Sequence, residues 1–260
     1  MNFWKCRMFC IITGASRGLG RTIATQFCQQ VEKDSVFLLL ARNEDELEET
    51  KRQMLERNNS IKIIIKAVDL SQPNWIEYSQ ILTDTLKYLE VSSDNFDRSL
   101  LVHNAGSLGT LYKNSETLTD IQELRDYLDL NLNSVVILTS VYLKYFKENR
   151  FIINISSLAA LQAFEGWHLY CTVKAARDSY FRVVAEDKSV SVLSYAPGPL
   201  DTDMINEVAK NGTKEQREWV LKSRNDSTFV PCDTTVTKLM DIIEKGCFKS
   251  GDHIDYYDKI

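Results

Sequence analysis

The chain has 260 residues, 44% hydrophobic and 26% charged, with a net charge of -5 and a pI near 5.4. That length suits one large α/β domain whose core needs no disulfide or metal staple. The negative balance argues against nucleic acid or an anionic membrane as the main partner. Six scattered cysteines and three histidines show no zinc-ligand spacing, so no metal and reduced thiols in a cytoplasmic setting are expected. The apolar residues before Ile12 are interrupted by Arg7 and followed by a glycine loop, which does not suit a signal peptide. No run approaches the roughly 20 apolar residues of a membrane span.

In chain order, short runs rich in Val, Ile, Leu and Phe occur at Met8–Ile12, Val36–Ala41, Lys62–Val68, Ser99–Val102, Phe151–Ile155 and Val190–Tyr195. They read as strands buried on both faces, and the first is taken to include Cys6 as well as Cys10. Between them, Leu19–Gln30, Glu44–Arg57, Trp75–Leu89, Thr119–Lys147 and Trp167–Ala185 are long enough for crossover helices. This alternation predicts a single Rossmann-type, doubly wound parallel sheet flanked by helices, in one domain spanning 1–260. A last strand at about His253–Tyr257 closes the edge. The polar stretch 201–230 holds two possible short helices, around Glu207–Ala209 and Trp219–Leu221. It reads either as a substrate lid or as a surface insertion.

Gly14, Ala15, Ser16, Arg17, Gly18, Leu19 and Gly20 follow Thr13 between the first strand and first helix. Glycines there allow a tight turn and a close backbone approach to a pyrophosphate at a helix N-terminus. The second strand ends in Arg42-Asn43, where a carboxylate would select a ribose 2′-hydroxyl. Arg17 and Arg42 instead suit a 2′-phosphate, so NADPH/NADP+ is expected over NAD. Asp69-Leu70 ends the third strand; its carboxylate either accepts from adenine or starts a turn. Asn104, Ala105 and Gly106 end the fourth, with Asn104 expected to tie strands together. His103 reads as a packing residue.

Tyr170 and Lys174 lie four apart on one helix face. A lysine charge there is expected to lower the phenol's pKa and make Tyr170 a usable general acid. Ser156-Ser157 ends a strand thirteen residues upstream, at the sheet edge where ligands of open α/β folds bind.

Together, Thr13–Gly20, Asn104-Ala105-Gly106, Asn131 between Leu130 and Leu132, Ser157, Tyr170 with Lys174, and Pro197-Gly198 resemble the short-chain dehydrogenase/reductase family over nearly the whole chain. The resemblance implies that Ser157 bonds the substrate carbonyl and Tyr170 protonates it. It implies that Lys174 binds the nicotinamide ribose and that Asn131 holds a relay water. It extends the cofactor site to Pro197, Leu200, Asp201, Thr202, Asp203 and Met204, with Tyr170 and Lys174 shared. A homodimer through the helices bearing Asn131 and Tyr170 is also implied.

Longer strings, Asn104–Gly109, Gly166–Cys171, Lys174–Asp178, Tyr195–Met204 and His253–Lys259, resemble the family's pterin-reducing branch. Those enzymes reduce side-chain ketones of pterins (sepiapterin and 6-pyruvoyl-tetrahydropterin) with NADPH in tetrahydrobiopterin synthesis. By that resemblance Ser157, Tyr170, Gly198 and Asp255 meet substrate, and Asp255 rather than Asp258 anchors the pterin's paired N–H groups. Trp167, Cys171 and Met204 either line the pocket or belong to the core. His103, Thr172-Val173 and the stretch Asn206–Val230 depart from the pattern. A broad dicarbonyl reductase and a non-catalytic NADP-binding sensor are the competing readings.

Overall fold

A computed structural model describes residues 3–111, 113 and 115–259. Its sheet has seven parallel strands in the order β3-β2-β1-β4-β5-β6-β7. These are β1 (Met8–Thr13), β2 (Val36–Ala41), β3 (Lys62–Ala67), β4 (Arg98–His103), β5 (Arg150–Ile155), β6 (Val190–Ala196) and β7 (His253–Asp255). β1 is buried along its whole length, so its side chains feed two cores. Cys10 and Ile12 join Phe37 and Leu39 under helices α1 (Gly18–Phe27), α2 (Glu44–Arg57) and α9 (Cys232–Lys245). Phe9 and Ile11 join Leu38 and Leu40 under α3 (Trp75–Tyr88), α5 (Ser134–Tyr145) and α6 (His168–Val184).

The chain winds outward from β1 to β3 and then returns to β4 on the other side of β1. Adjacent crossovers diverge at that switch point and leave a crevice beyond the carboxyl ends of the strands. No helix among the described residues is long and apolar enough to cross a membrane, and no cluster of His, Cys, Asp or Glu among them could hold a metal ion.

Several elements differ from the sequence reading. β1 starts at Met8, and Cys6 sits in a preceding turn, its N–H donating to the Trp4 carbonyl at 2.8 Å. The segment expected as one helix from Thr119 to Lys147 is α4 (Ile121–Leu128), a π turn (Asp129–Asn133) and then α5. α9 has no counterpart in the sequence reading. Its threonines and β-branched residues resemble strand composition, yet Val236, Leu239, Ile242 and Ile243 form one buried stripe. Gly246 ends it in the left-handed conformation at φ 62°.

The two short helices are longer than expected: α7 (Asp203–Asn211) and α8 (Lys214–Asn225). A reciprocal cap between Thr213 and Gln216 starts α8. β7 ends at Asp255, where the Asp255 carboxylate accepts from the Tyr257 N–H at 2.9 Å and turns the chain.

Candidate functional site

The glycine loop is folded against the end of β4. A Cβ on Gly14 would lie 2.9 Å from Asn104 Nδ2, and one on Gly20 would lie 2.1 Å from the Gly14 carbonyl oxygen. Only glycine fits either place. Asn104 Nδ2 donates to the carbonyls of Thr13 and Gly14 at 3.0 and 3.1 Å. Thr13 Oγ1 in turn accepts from the Asn104 and Ala105 amides, each at 3.0 Å. The expected tie between strands is therefore made by two side chains, of which Thr13 was not singled out.

Ala15 and Ser16 are buried at the loop base, where Thr50 Oγ1 donates to the Ala15 carbonyl at 3.0 Å. Leu19 packs on the core. The first turn of α1 has no side-chain cap, so its N–H groups are open to an anion. The donors and the glycine cradle fit a dinucleotide pyrophosphate.

Arg17 and Arg42 are both exposed. Arg17 pairs with Asp203 at the start of α7 at 2.8 Å. Asn43 accepts from the Glu46 N–H at 3.0 Å and caps α2. Asp69 takes the turn alternative: it accepts from the Ser71 N–H and hydroxyl at 3.0 and 2.8 Å. Those bonds hold its carboxyl below the usual range, with Arg42 adding to the effect. Leu70 is buried beneath α3.

Asn131 lies buried in the π turn, a distortion that favours functional positions. Its Oδ1 accepts from the Ser107 N–H at 2.9 Å, and its Nδ2 donates to the Tyr127 carbonyl at 3.0 Å. Gly106 lies alongside, where an added Cβ would be 3.2 Å from that Oδ1.

Ser157 caps a short 3₁₀ turn, accepting from the Ala159 N–H at 3.1 Å. Tyr170, 6% exposed, lies beneath Leu108, Leu111, Ile205, Val208 and Val220, with Trp167, Cys171 and Met204 packed at the margin. Those three residues are thus part of a small apolar cluster around the phenol. Tyr170 contacts Met204 Sδ at 3.9 Å and the Trp167 ring edge-on at 5.4 Å.

Lys174 is buried, with Nζ donating to the Ile155 carbonyl at 2.7 Å and lying 5.4 Å from the centre of the Tyr170 ring. The expected lowering of the phenol does not occur in this arrangement. Burial pushes Tyr170 up to about 12, and the Ser157 hydrogen bond followed by the Arg177 charge recovers only part of that rise. Burial also drives the Lys174 amine well below its usual value, with Arg177 pushing the same way and Asp178 opposing. Desolvation outweighs the Arg177 field because the phenol is held in an apolar shell.

Beyond β6, the Pro197 carbonyl accepts from Thr235 Oγ1 at 2.8 Å. Gly198 has φ 76° and sits 3.5 Å, measured from an added Cβ, from Tyr256. Leu200 is buried. Asp201 accepts from Arg224 of α8 at 2.6 Å, while the Thr202 carbonyl opens α7 by accepting from the Ile205 N–H at 2.9 Å. Asp255 is half-buried at the carboxyl end of β7, and Asp258 is exposed beyond it.

Sequence reasoning left roles for several buried groups unassigned. Ser156 points away from Ser157's side and donates to Asp178 at 2.7 Å. Arg177 is fully buried and bonds Asn154 Oδ1 and the His103 carbonyl at 2.8 and 2.9 Å. His103 is the packing residue the sequence reading expected, bonded to Thr139 at 2.9 Å with its ring tilted against Phe181. The available signal was spacing: Arg177 and Asp178 fall seven and eight residues after Tyr170, on the same inward helix face.

The model of the family described as short chain dehydrogenase matches residues 9–213. Sepiapterin reductase from Mus musculus is 39% identical over 256 residues, covering 96% of each chain. Benzil reductase ((S)-benzoin forming) from Bacillus cereus is 33% identical, covering 95% of this chain and 98% of its own. Among solved structures, a short chain dehydrogenase/reductase from Saccharomyces cerevisiae superposes with a TM-score of 0.79 at 22% identity, covering 97% of this chain and 96% of that one. The matched span, the parallel sheet and the buried tyrosine and lysine agree: the chain belongs to the short-chain dehydrogenase family, which binds a nicotinamide cofactor, and is an oxidoreductase acting on CH–OH/C=O groups.

Proposed function

We propose that this protein is an NADPH-dependent carbonyl reductase of the sepiapterin reductase type, reducing side-chain ketones of pterins such as sepiapterin and 6-pyruvoyl-tetrahydropterin in tetrahydrobiopterin synthesis. The observation that carries the reduction is Tyr170, a phenol buried in an apolar cluster with Lys174 Nζ 5.4 Å from its ring centre. The pterin assignment rests on the 39% identity to mouse sepiapterin reductase.

When bound, NADPH supplies the hydride. Ser157 orients the carbonyl oxygen, and the Tyr170 O–H gives up its proton as that oxygen becomes an alkoxide. A phenol raised to about 12 is fully protonated at neutral pH, the state a reductive general acid needs. Lys174 Nζ, already presenting a hydrogen bond to Ile155, has further donors for a ribose hydroxyl. Asn131 Oδ1 keeps a second lone pair for a relay water. Arg17 and Arg42 favour a 2′-phosphate, and Arg17's pairing with the exposed Asp203 is weak enough to be exchanged for one.

The remaining cofactor contacts are Gly14 through Gly20, Asn43, Asp69, Leu70, Asn104–Gly106, Pro197 and Leu200–Met204. Gly198 and Asp255 sit on the substrate side. Residues 201–230 form the lid of a single 1–260 domain, and the enzyme is a cytoplasmic homodimer joined through the α4–α5 segment that carries Asn131 and through α6, which carries Tyr170.

The similarity to benzil reductase favours a second reading, a broad dicarbonyl reductase. NADPH oxidation with sepiapterin beside butane-2,3-dione separates the two. A higher kcat/KM for sepiapterin is expected; a preference for the diketone overturns the pterin reading.

A further inference from the structure

His103, Asn154, Ser194 and His253 stand in one cross-strand row, in register from β4 through β5 and β6 to β7. Such a polar row inside a parallel sheet is costly unless each group is partnered. α6 lays Arg177 and Asp178 over it, two charges buried to 0% and 4% exposure. Arg177 spans toward β4, with Nε on Asn154 Oδ1 and Nη2 on the His103 carbonyl.

Asp178 spans the other way. Its Oδ1 accepts from Ser156 Oγ at 2.7 Å and Asn154 Nδ2 at 2.9 Å, and its Oδ2 meets His253 Nδ1 at 2.6 Å. His253 Nε2 is buried without a hydrogen-bond partner. The ring's orientation therefore depends on its bond to Asp178.

Ser156 immediately precedes Ser157, and His253 lies two residues before Asp255. Residues i and i+2 of a strand share a face, while Ile254 between them packs into the opposite core. One carboxylate thus grips the Ser156 side chain just before the carbonyl-binding hydroxyl and the His253 ring on the strand that ends in the half-buried aspartate. It does so from the helix that carries Tyr170 and Lys174.

We propose that Asp178, through His253, is a positioning residue for substrate recognition: it holds Asp255 at the distance from Ser157 and Tyr170 that lets one bound molecule touch all three. This rests on the reading of Asp255 as the pterin anchor. A small diketone, too short to reach Asp255, does not depend on the device. The role is one of geometry, since neither Asp178 nor His253 meets substrate or cofactor.

The test is the ratio of kcat/KM for sepiapterin to that for butane-2,3-dione, measured with NADPH on the full-length enzyme. His253→Leu removes the Nδ1 donor and should lower the ratio by about tenfold, the scale of one lost hydrogen bond to a charged group, mainly through the KM for sepiapterin. His253→Asn, whose amide nitrogen stands where Nδ1 does, should restore it. In an Asp255→Asn background, adding His253→Leu should lower the ratio no further.

If His253→Leu does not fold, His253→Gln serves, because its longer amide misplaces the donor; Asn and Gln variants with the same ratio overturn the proposal. Equal losses on both substrates in His253→Leu also overturn it. A lowered Asp255→Asn ratio with a normal His253→Leu ratio sinks this inference alone. An Asp255→Asn enzyme with an unchanged ratio sinks the anchor reading, and this inference with it.

Discussion

At the scale of single residues, burial and charge pull Tyr170 in opposite directions, and burial prevails: the phenol rises to about 12. The Tyr170→Phe enzyme should therefore keep NADPH binding, measured by fluorescence titration, while kcat falls by about 10²–10⁴, the usual worth of a positioned general acid. Retained turnover would remove Tyr170 from the chemistry. On the proposed reading cofactor choice turns on Arg42, an exposed side chain whose field reaches Asp69. Arg42→Ala should raise the KM for NADPH by about tenfold, in keeping with a lost charge-assisted bond, and leave NADH nearly unaffected; an unchanged NADPH-to-NADH preference would refute its role. Local spacing singles out Gly14, Gly20, Asn104, Tyr170 and Lys174 as candidates in the sequence, whereas only the family resemblance selects Ser157 over Ser156. Asp69 was readable only as two alternatives, and a turn to Ser71 decided between them.

At the scale of elements, most strands and crossover helices were legible from short continuous apolar runs and longer segments of helical period. Two misreadings share one cause. The π turn at Asp129–Asn133 and helix α9 both depend on what they pack against, and local composition carries little of that. α9 lies along α1, where Gln26 Nε2 donates to the Asp233 carboxylate at 2.9 Å, and its apolar stripe completes the core beneath β1 and β4. Leu239, 1% exposed at the centre of that stripe, should cost about 2–5 kcal/mol of stability when truncated to Ala. Urea denaturation checks this, and the preference for NADPH over NADH should not change, because α9 carries neither Arg17 nor Arg42, the residues proposed to meet a 2′-phosphate.

At the scale of the whole molecule, the buried titratable groups set an alkaline limit. Tyr170 and Cys28 are each raised to about 12, and burial raises Tyr78, Tyr142 and Tyr195 as well. A folded-state pKa above the unfolded one means the folded chain holds its proton more tightly. This stability is fully present below the unfolded values, near pH 9 for the thiol and pH 10 for the phenols, and is lost as pH rises toward 12. Thermal melts between about pH 8 and about pH 11 should show a falling Tm, with phenolate absorbance appearing together with unfolding. Phenolate signal that develops in the folded enzyme well before unfolding would contradict the burial argument.

By itself the amino-acid sequence determined the winding of the sheet, the glycine loop and the proposed Tyr170–Lys174 pair, because periodicity, glycine placement and short spacings are local properties of a chain. Tertiary structure decided which charges end up in the interior. Arg177 and Asp178 read as ordinary helix residues until α6 is laid across β4 to β7. There the low dielectric raises the cost of any unpaired charge, and the partners come from residues 22 to 75 positions away.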